Sequence, residues 1–156
     1  LHYPLRRQRQ MCIRDRAYKV QLELMIKQAN LTDRIIFKGI TKDIESVLIT
    51  GDIYAMMSAS EGFGLSMAEA MAKGLPILAC DTWLGVSDLV QDGYNGILVS
   101  DNSDDIACGL KKLMSDNELR AILGKHAANS IKQYAPDIIW DKWEELLSNM
   151  VENRSC

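Results

Sequence analysis

Three short, unbroken apolar runs, Ile53–Ser58, Pro76–Cys80 and Gly96–Val99, alternate with segments whose apolar residues recur at helical spacing. A strand with one wet face alternates polar and apolar residues. A strand that is apolar throughout must be covered on both faces. The helical segments between the runs supply that cover, so the pattern predicts an α/β domain with a parallel sheet and helices on both faces. A fourth run, Ile35-Ile36-Phe37, ends at Gly39 and reads as another buried strand. About four strands are then visible, where a full doubly wound domain has around six. Roughly the first third of such a domain is therefore expected to lie outside this sequence.

The helices carry start and stop signals. Leu22, Met25, Ile26 and Ala29 mark one buried face of a helix over Ala17–Ala29, with Asn30 as its stop. Thr41–Thr50 reads as a helix with Thr41 or Asp43 near its start and Gly51 past its end. Leu65–Ala72 is closed by Gly74, and Val86–Gln91 is a short helix ended by Asp92-Gly93. Asp104–Met114 places Ile106, Leu110 and Leu113 on one face. Ser115-x-x-Glu118 reads as a capping box opening a helix that runs to about Tyr134. Pro136 suits the first turn of a last helix bearing Ile139, Trp140, Trp143, Leu146 and Leu147. The C-terminal part is thus helical.

Composition narrows the class. The 156 residues are 47% hydrophobic and 25% charged, enough for one soluble domain with its own core. No apolar run approaches the ~20 residues of a membrane span. Cys12, Cys80, Cys108 and Cys156 form no C-x-x-C pair, which argues against a zinc or redox motif and for a reducing cytoplasm.

Leu1–Arg16, LHYPLRRQRQMCIRDR, has no apolar periodicity. Arg6–Arg16 matches the translation of a transposase-based sequencing adapter. The segment is therefore expected to be foreign to the natural protein, which would begin before Ala17. It holds five of the 18 Lys and Arg and one of the 21 Asp and Glu. That leaves 13 basic against 20 acidic residues, a net charge of −7 rather than −3. So acidic a remainder gives no support for nucleic-acid binding. The expected organisation is 1–16 adapter-like, 17–150 one domain, and 151–156 a tail.

The chemically informative stretch is a strand, a glycine turn and a helix in quick succession. Ile53–Ser58 carries the chain to the carboxyl edge of the sheet, where open α/β sheets bind ligands. Gly62 and Gly64 allow a tight turn and a close ligand approach. The helix from Leu65 then aims its free N–H groups outward, a ready site for an anion. Neither G-x-G-x-x-G nor G-x-x-x-x-G-K-[ST] is present. The residues alone support only an anion or polar ligand at a helix N-terminus, and Glu61 and Glu69 could be ordinary surface carboxylates.

A resemblance adds to this. Glu61 and Glu69, separated by seven residues, resemble the E-x7-E motif of GT-B retaining glycosyltransferases. The closer likeness is to glycosyltransferase family four and covers nearly all of Ala17–Asn149. It is carried by Ile36-Phe37-x-Gly39, Ser58-x-Ser60-Glu61-Gly62-Phe63-Gly64-Leu65, Glu69-Ala70-Met71-Ala72-x-Gly74-x-Pro76, Gly85-Val86-Ser87-Asp88 and Asp92-Gly93-x-Asn95-Gly96-x-Leu98-Val99. It implies a partial Rossmann-like sheet, the C-terminal half of a GT-B fold. Glu61 would be the catalytic residue beside the donor sugar. Gly62, Phe63, Gly64, Leu65 and Ser66 would bind sugar and diphosphate, and Glu69 the ribose hydroxyls. A carboxylate suits a diol because it accepts two O–H donors at once. Gly39 and Ile40 would border the nucleobase.

The resemblance further implies a retaining hexosyltransferase that uses a nucleotide-sugar and needs no cofactor and no metal, with no D-x-D motif in the chain. Its product would be a polysaccharide, lipopolysaccharide or glycolipid. A glycan or lipid-linked acceptor would bind through an N-terminal domain that this sequence lacks, along with the family's Arg and Lys phosphate clamp. The parent would be cytoplasmic, at the inner face of the membrane through peripheral association, and this portion alone inactive. Ser87-Asp88 stands where the family has Pro-Glu, which puts a contact made by that Glu in doubt. Trp140 and Trp143 would pack, and the family's last helix often returns across the domain junction. His126 reads as structural. Two other readings stay open: a nucleotide-sugar 2-epimerase-like enzyme, and a non-catalytic nucleotide-sugar-binding module.

Overall fold

The computed structural model describes residues 18–39, 41–58, 62–81 and 84–152. Chain contacts divide it into residues 1–42 and 43–156. The expectations for Leu1–Arg16, Ile40 and Glu61 fall outside the described residues.

In the first unit, helix α1 spans residues 18–28. It stops as its asparagine suggests. Asn30 adopts a left-handed φ of 55°. The Leu31 N–H donates to the Ile26 carbonyl at 2.9 Å and the Asn30 N–H to the Lys27 carbonyl at 3.2 Å, the paired bonds of a Schellman end. Two expectations fail here. Of the stripe Leu22, Met25, Ile26 and Ala29, only Ile26 is half-buried and the others are exposed. Periodicity specifies a helix but not what covers it. Ile35-Ile36-Phe37 is neither a strand nor buried, with Ile36 72% exposed. A strand exists only by pairing, and this run has no ladder partner among the described residues.

The second unit is built on a three-stranded parallel sheet. Its order is β1 (Tyr54–Met56), β2 (Ile77–Cys80) and β3 (Gly96–Val99). Tyr54 pairs with Ile77, and Ile77 with Gly96. Every residue of β2 is buried. Ile77 and Ala79 enter one core cluster with Met67, Met71, Val86 and Ala127. Leu78 enters another with Ile97, Leu113 and Leu123. Two alternating faces, each with its own apolar cover, explain why the run is apolar throughout. Each fully buried side chain of this size contributes about 1.5–3 kcal/mol.

Helices fill the connections: α2 (Ile44–Ile49), α3 (Leu65–Ala72), α4 (Leu84–Ser87), α5 (Ser103–Ser115), α6 (Asn117–Ser130) and α7 (Pro136–Glu152). A short 3₁₀ helix, Ile131–Tyr134, joins the last two. The expected helix α3 and strand β3 have the bounds read from sequence. Two helix starts differ. The cap of α6 is Asp116, which accepts from the Leu119 N–H at 2.9 Å, while Ser115 stays in α5 and donates to the Lys112 carbonyl. Helix α4 begins before Val86 and ends at Ser87, because the Gln91 N–H is taken by the Asn95 side chain at 2.8 Å and cannot extend a helix. Helix α7 leaves Trp140 and Trp143 exposed beside a groove of 510 Å³ that Tyr134, Pro136, Ile139 and Leu147 complete. The two rings line this groove and are not buried.

Candidate functional site: an open helix terminus at the sheet edge

Strand β1 ends at Met56, and α3 starts nine residues later. Between them stand Gly62, Phe63 and Gly64. Gly64 is buried and left-handed, with φ 74° and ψ 53°. A side chain there would be strained by the backbone and would meet Met67 Cε at 3.0 Å. A Cβ on Gly62 would meet nothing within 4 Å among the described residues. The turn therefore needs glycine at Gly64 for conformation, while Gly62 leaves room beside the chain.

Gly64 is also the N-cap of α3, and it offers no side-chain oxygen. Helices α2, α5 and α6 are closed differently: Asp43, Asn102 and Asp116 accept from Ser46, Asp105 and Leu119. In α3 the Met67 and Ala68 N–H groups both donate to the Gly64 carbonyl, at 2.9 and 3.0 Å. The N–H groups of Leu65 and Ser66 belong to the outward-facing set at the helix end. With the positive end of the helix dipole, they make a place for an oxyanion.

The other sequence-predicted residues take defined positions. Phe63, Leu65 and Ser66 are exposed, and Glu69 is half-buried one turn after Leu65, on the same side of α3. The structure thus brings Gly62, Phe63, Gly64, Leu65, Ser66 and Glu69 together around one helix start. Gly39 lies in the first unit, with φ 70°.

Three contacts that seat α3, one of them the crossing at Gly74, were not flagged by sequence. The Tyr54 hydroxyl donates to Ser66 Oγ at 2.8 Å, tying β1 to the first turn. Lys73, at the other end, pairs with Glu45 of α2. Gly74, left-handed at φ 76°, ends the helix, and its carbonyl lies where a Cβ on Gly124 of α6 would sit. Only the glycines hinted at this close crossing, because a contact between residues so far apart leaves no local pattern. His126 has the structural role expected of it: its ring stacks on Tyr94 and its Nδ1 lies 2.8 Å from the Tyr94 carbonyl.

Below the turn, Cys80 Sγ lies 3.3 Å from Met57 Sδ. Burial pushes the Cys80 thiol up, and the Asp101 carboxylate adds to the effect. Burial and a raised pKa both disfavour the reactive thiolate. Among the described residues no group of three His, Cys, Asp or Glu is placed to hold a metal, and no helix is long and apolar enough to cross a membrane.

The family model for glycosyl transferases group 1 matches residues 2–130. The chain belongs to that family. A poly(ribitol-phosphate) alpha-N-acetylglucosaminyltransferase of Staphylococcus aureus strain COL is 33% identical over 133 residues, covering 84% of this chain and 27% of that protein. Solved structures share the fold. Anabaena HepE, solved in complex with UDP and glucose, matches with TM-score 0.78 and 26% identity, over 88% of this chain and 38% of its own. The C-terminal domain of the group 1 protein LpcC from Francisella tularensis matches with TM-score 0.69 and 35% identity, over 77% of this chain and 63% of that domain. The chain thus spans about a quarter of the first relative, and its fold is that of the C-terminal half of GT-B glycosyltransferases.

Proposed function

We propose that this chain carries the donor side of a longer retaining glycosyltransferase, close to glycosyltransferase family four. The parent moves a sugar from a nucleotide-sugar to a hydroxyl acceptor in the synthesis of a polysaccharide, lipopolysaccharide or glycolipid. The observation that carries the reading is the start of α3, whose N-cap, left-handed Gly64, has no side chain to close it, at the carboxyl edge of a parallel sheet. A nucleotide-sugar presents to such a terminus a diphosphate that needs N–H donors. HepE, which this chain resembles in fold, was solved with UDP and glucose, which supports a nucleotide-sugar as the ligand.

In this reading the amides of Gly64, Leu65 and Ser66 hold the diphosphate, with Gly62 and Phe63 beside the sugar. Glu69 accepts from the ribose diol, and Gly39 and Ile40 border the base. Glu61 hydrogen-bonds the donor sugar and stabilises positive charge developing at its anomeric carbon. The departing diphosphate is stabilised by oriented amides rather than by a metal. The acceptor, a glycan or a lipid-linked glycan, binds outside this chain.

The test is sugar transfer by the full-length parent, with the anomeric configuration of the product read by NMR. Glu61→Ala should lower transfer at least about a hundredfold. Full activity in that variant overturns the role of Glu61, and an inverted product overturns the retaining mechanism. Incubation with donor alone separates transfer from epimerisation or hydrolysis.

Leu1–Arg16 we read as foreign to the natural protein. The family match begins at residue 2, inside that segment. Sequencing the source locus across Arg16–Ala17 decides the matter, since a continuous genomic frame would make the segment native.

A further inference from the structure

We propose that Tyr134 is a positioning residue for the glycine turn Gly62–Gly64, a role that rests on the donor-binding reading of that turn. Gly64, at the far end of the turn, is held by the start of α3. A Cβ on Gly62 would meet nothing within 4 Å among the described residues, and Phe63 is the only side chain between two glycines. The Phe63 ring meets the Tyr134 ring edge-on, with centroids 5.1 Å apart and planes at 70°. The Tyr134 hydroxyl reaches the Asp88 carbonyl at a long 3.4 Å. One side chain thus touches both the turn before α3 and the segment after α4.

Tyr134 is well placed to act as the fixed partner. It closes the 3₁₀ helix, where the Ala135 N–H donates to the Lys132 carbonyl at 3.0 Å. Ala135 is extended, φ −59° and ψ 145°, as the residue before a proline must be. Tyr134 also packs against the core cluster that holds Met67 and Met71. Phe63 therefore leans on a ring anchored to the body of the domain. The amides that follow Phe63 are aimed by the turn, and an aim lost by an ångström is enough to cost binding.

The experiment compares the wild-type chain with Y134A, Y134F and F63A, by ¹⁵N relaxation without ligand and by NMR titration with UDP. Y134A and F63A should each lower the heteronuclear NOE at Gly62 and Gly64, while amides of Ile77–Cys80 stay protected. Both should weaken UDP binding about two- to tenfold, the worth of an aromatic pair. Y134F keeps the ring and should match the wild type in both readouts, a rescue that a role through the hydroxyl would not give. Unchanged NOE values in F63A overturn the proposal, and that variant removes an exposed ring without cutting the core. Failure of the wild type to bind UDP overturns the donor reading instead, while the NOE comparison still decides whether Tyr134 holds the turn.

Discussion

Gly124→Ala measures the crossing that seats α3. Gly124 lies inside α6, where replacing glycine by alanine at an open site stabilises a helix by about 1 kcal/mol. This site is not open. A Cβ would stand 2.1 Å from the Gly74 carbonyl oxygen and 3.1 Å from its carbon. The obstacle is backbone, and Gly74 is pinned, because its N–H donates to the Met71 carbonyl at 2.9 Å while the Leu75 N–H donates to the Ala70 carbonyl at 3.1 Å. Helix α6 must therefore retreat by roughly an ångström, a gap that forfeits a quarter to a half of each dispersion contact it opens. Overpacking of this kind costs about 3 kcal/mol. Set against the helix gain, the net loss is about 2 kcal/mol, or a fall in Tm of about 4–8 °C for a chain of this length. Urea unfolding followed by circular dichroism gives the value directly. A variant as stable as the wild type, or more stable, refutes the argument, since the sign reverses if the crossing is loose. Gly109→Ala is the comparison: its Cβ would meet the methyl ends of Leu78 and Val99, which can move, so its loss should be smaller.

Other consequences follow from single contacts. Buried Asn95 accepts from the Gln91 N–H and donates to the Leu89 carbonyl and to Ser130 Oγ, so Asn95→Ala should cost about 3 kcal/mol in urea unfolding. Hydrogen bonds from Asn102 and Ser100 hold the Asp105 carboxyl below its ordinary value. A depressed carboxyl stabilises the fold above its unfolded pKa, and that contribution is lost as pH falls through the lower folded value. In an NMR pH titration the Asp105 carboxyl should therefore titrate below the ordinary aspartate range, and Asn102→Ala should move it back up. Iodoacetamide should label exposed Cys108 in the native chain but spare Cys80 until denaturant is added, as read by peptide mass mapping.

The sheet and the helix at its edge were legible in the sequence because their signals are local. A run such as Ile77–Cys80, set between helical segments that can cover both faces, reads as a buried strand. Leu65–Ala72 lies between one glycine needed to start it and another needed to stop it. What escaped the sequence was pairing and cover. Among the described residues, Ile35-Ile36-Phe37 has the composition of a strand and no ladder neighbour, and the apolar stripe of α1 has little over it. Nor did spacing reveal Tyr54 on Ser66, Tyr134 on Phe63 or Gly124 on Gly74, since each is a contact made by the fold. The candidate residues at the α3 start were read as a group because the turn keeps them adjacent in sequence. The tie from Tyr134 comes from the far end of the chain.

The central claim is that the open start of α3 receives the diphosphate of a nucleotide. An ¹H–¹⁵N titration of the chain with UDP tests it most directly, with UDP binding by HepE as the control. The largest shifts should fall on the amides of Gly64, Leu65, Ser66 and Glu69, and Gly64→Ala should abolish them. Shifts centred instead on the side-chain-capped starts of α5 or α6, or none where HepE responds, would contradict the account.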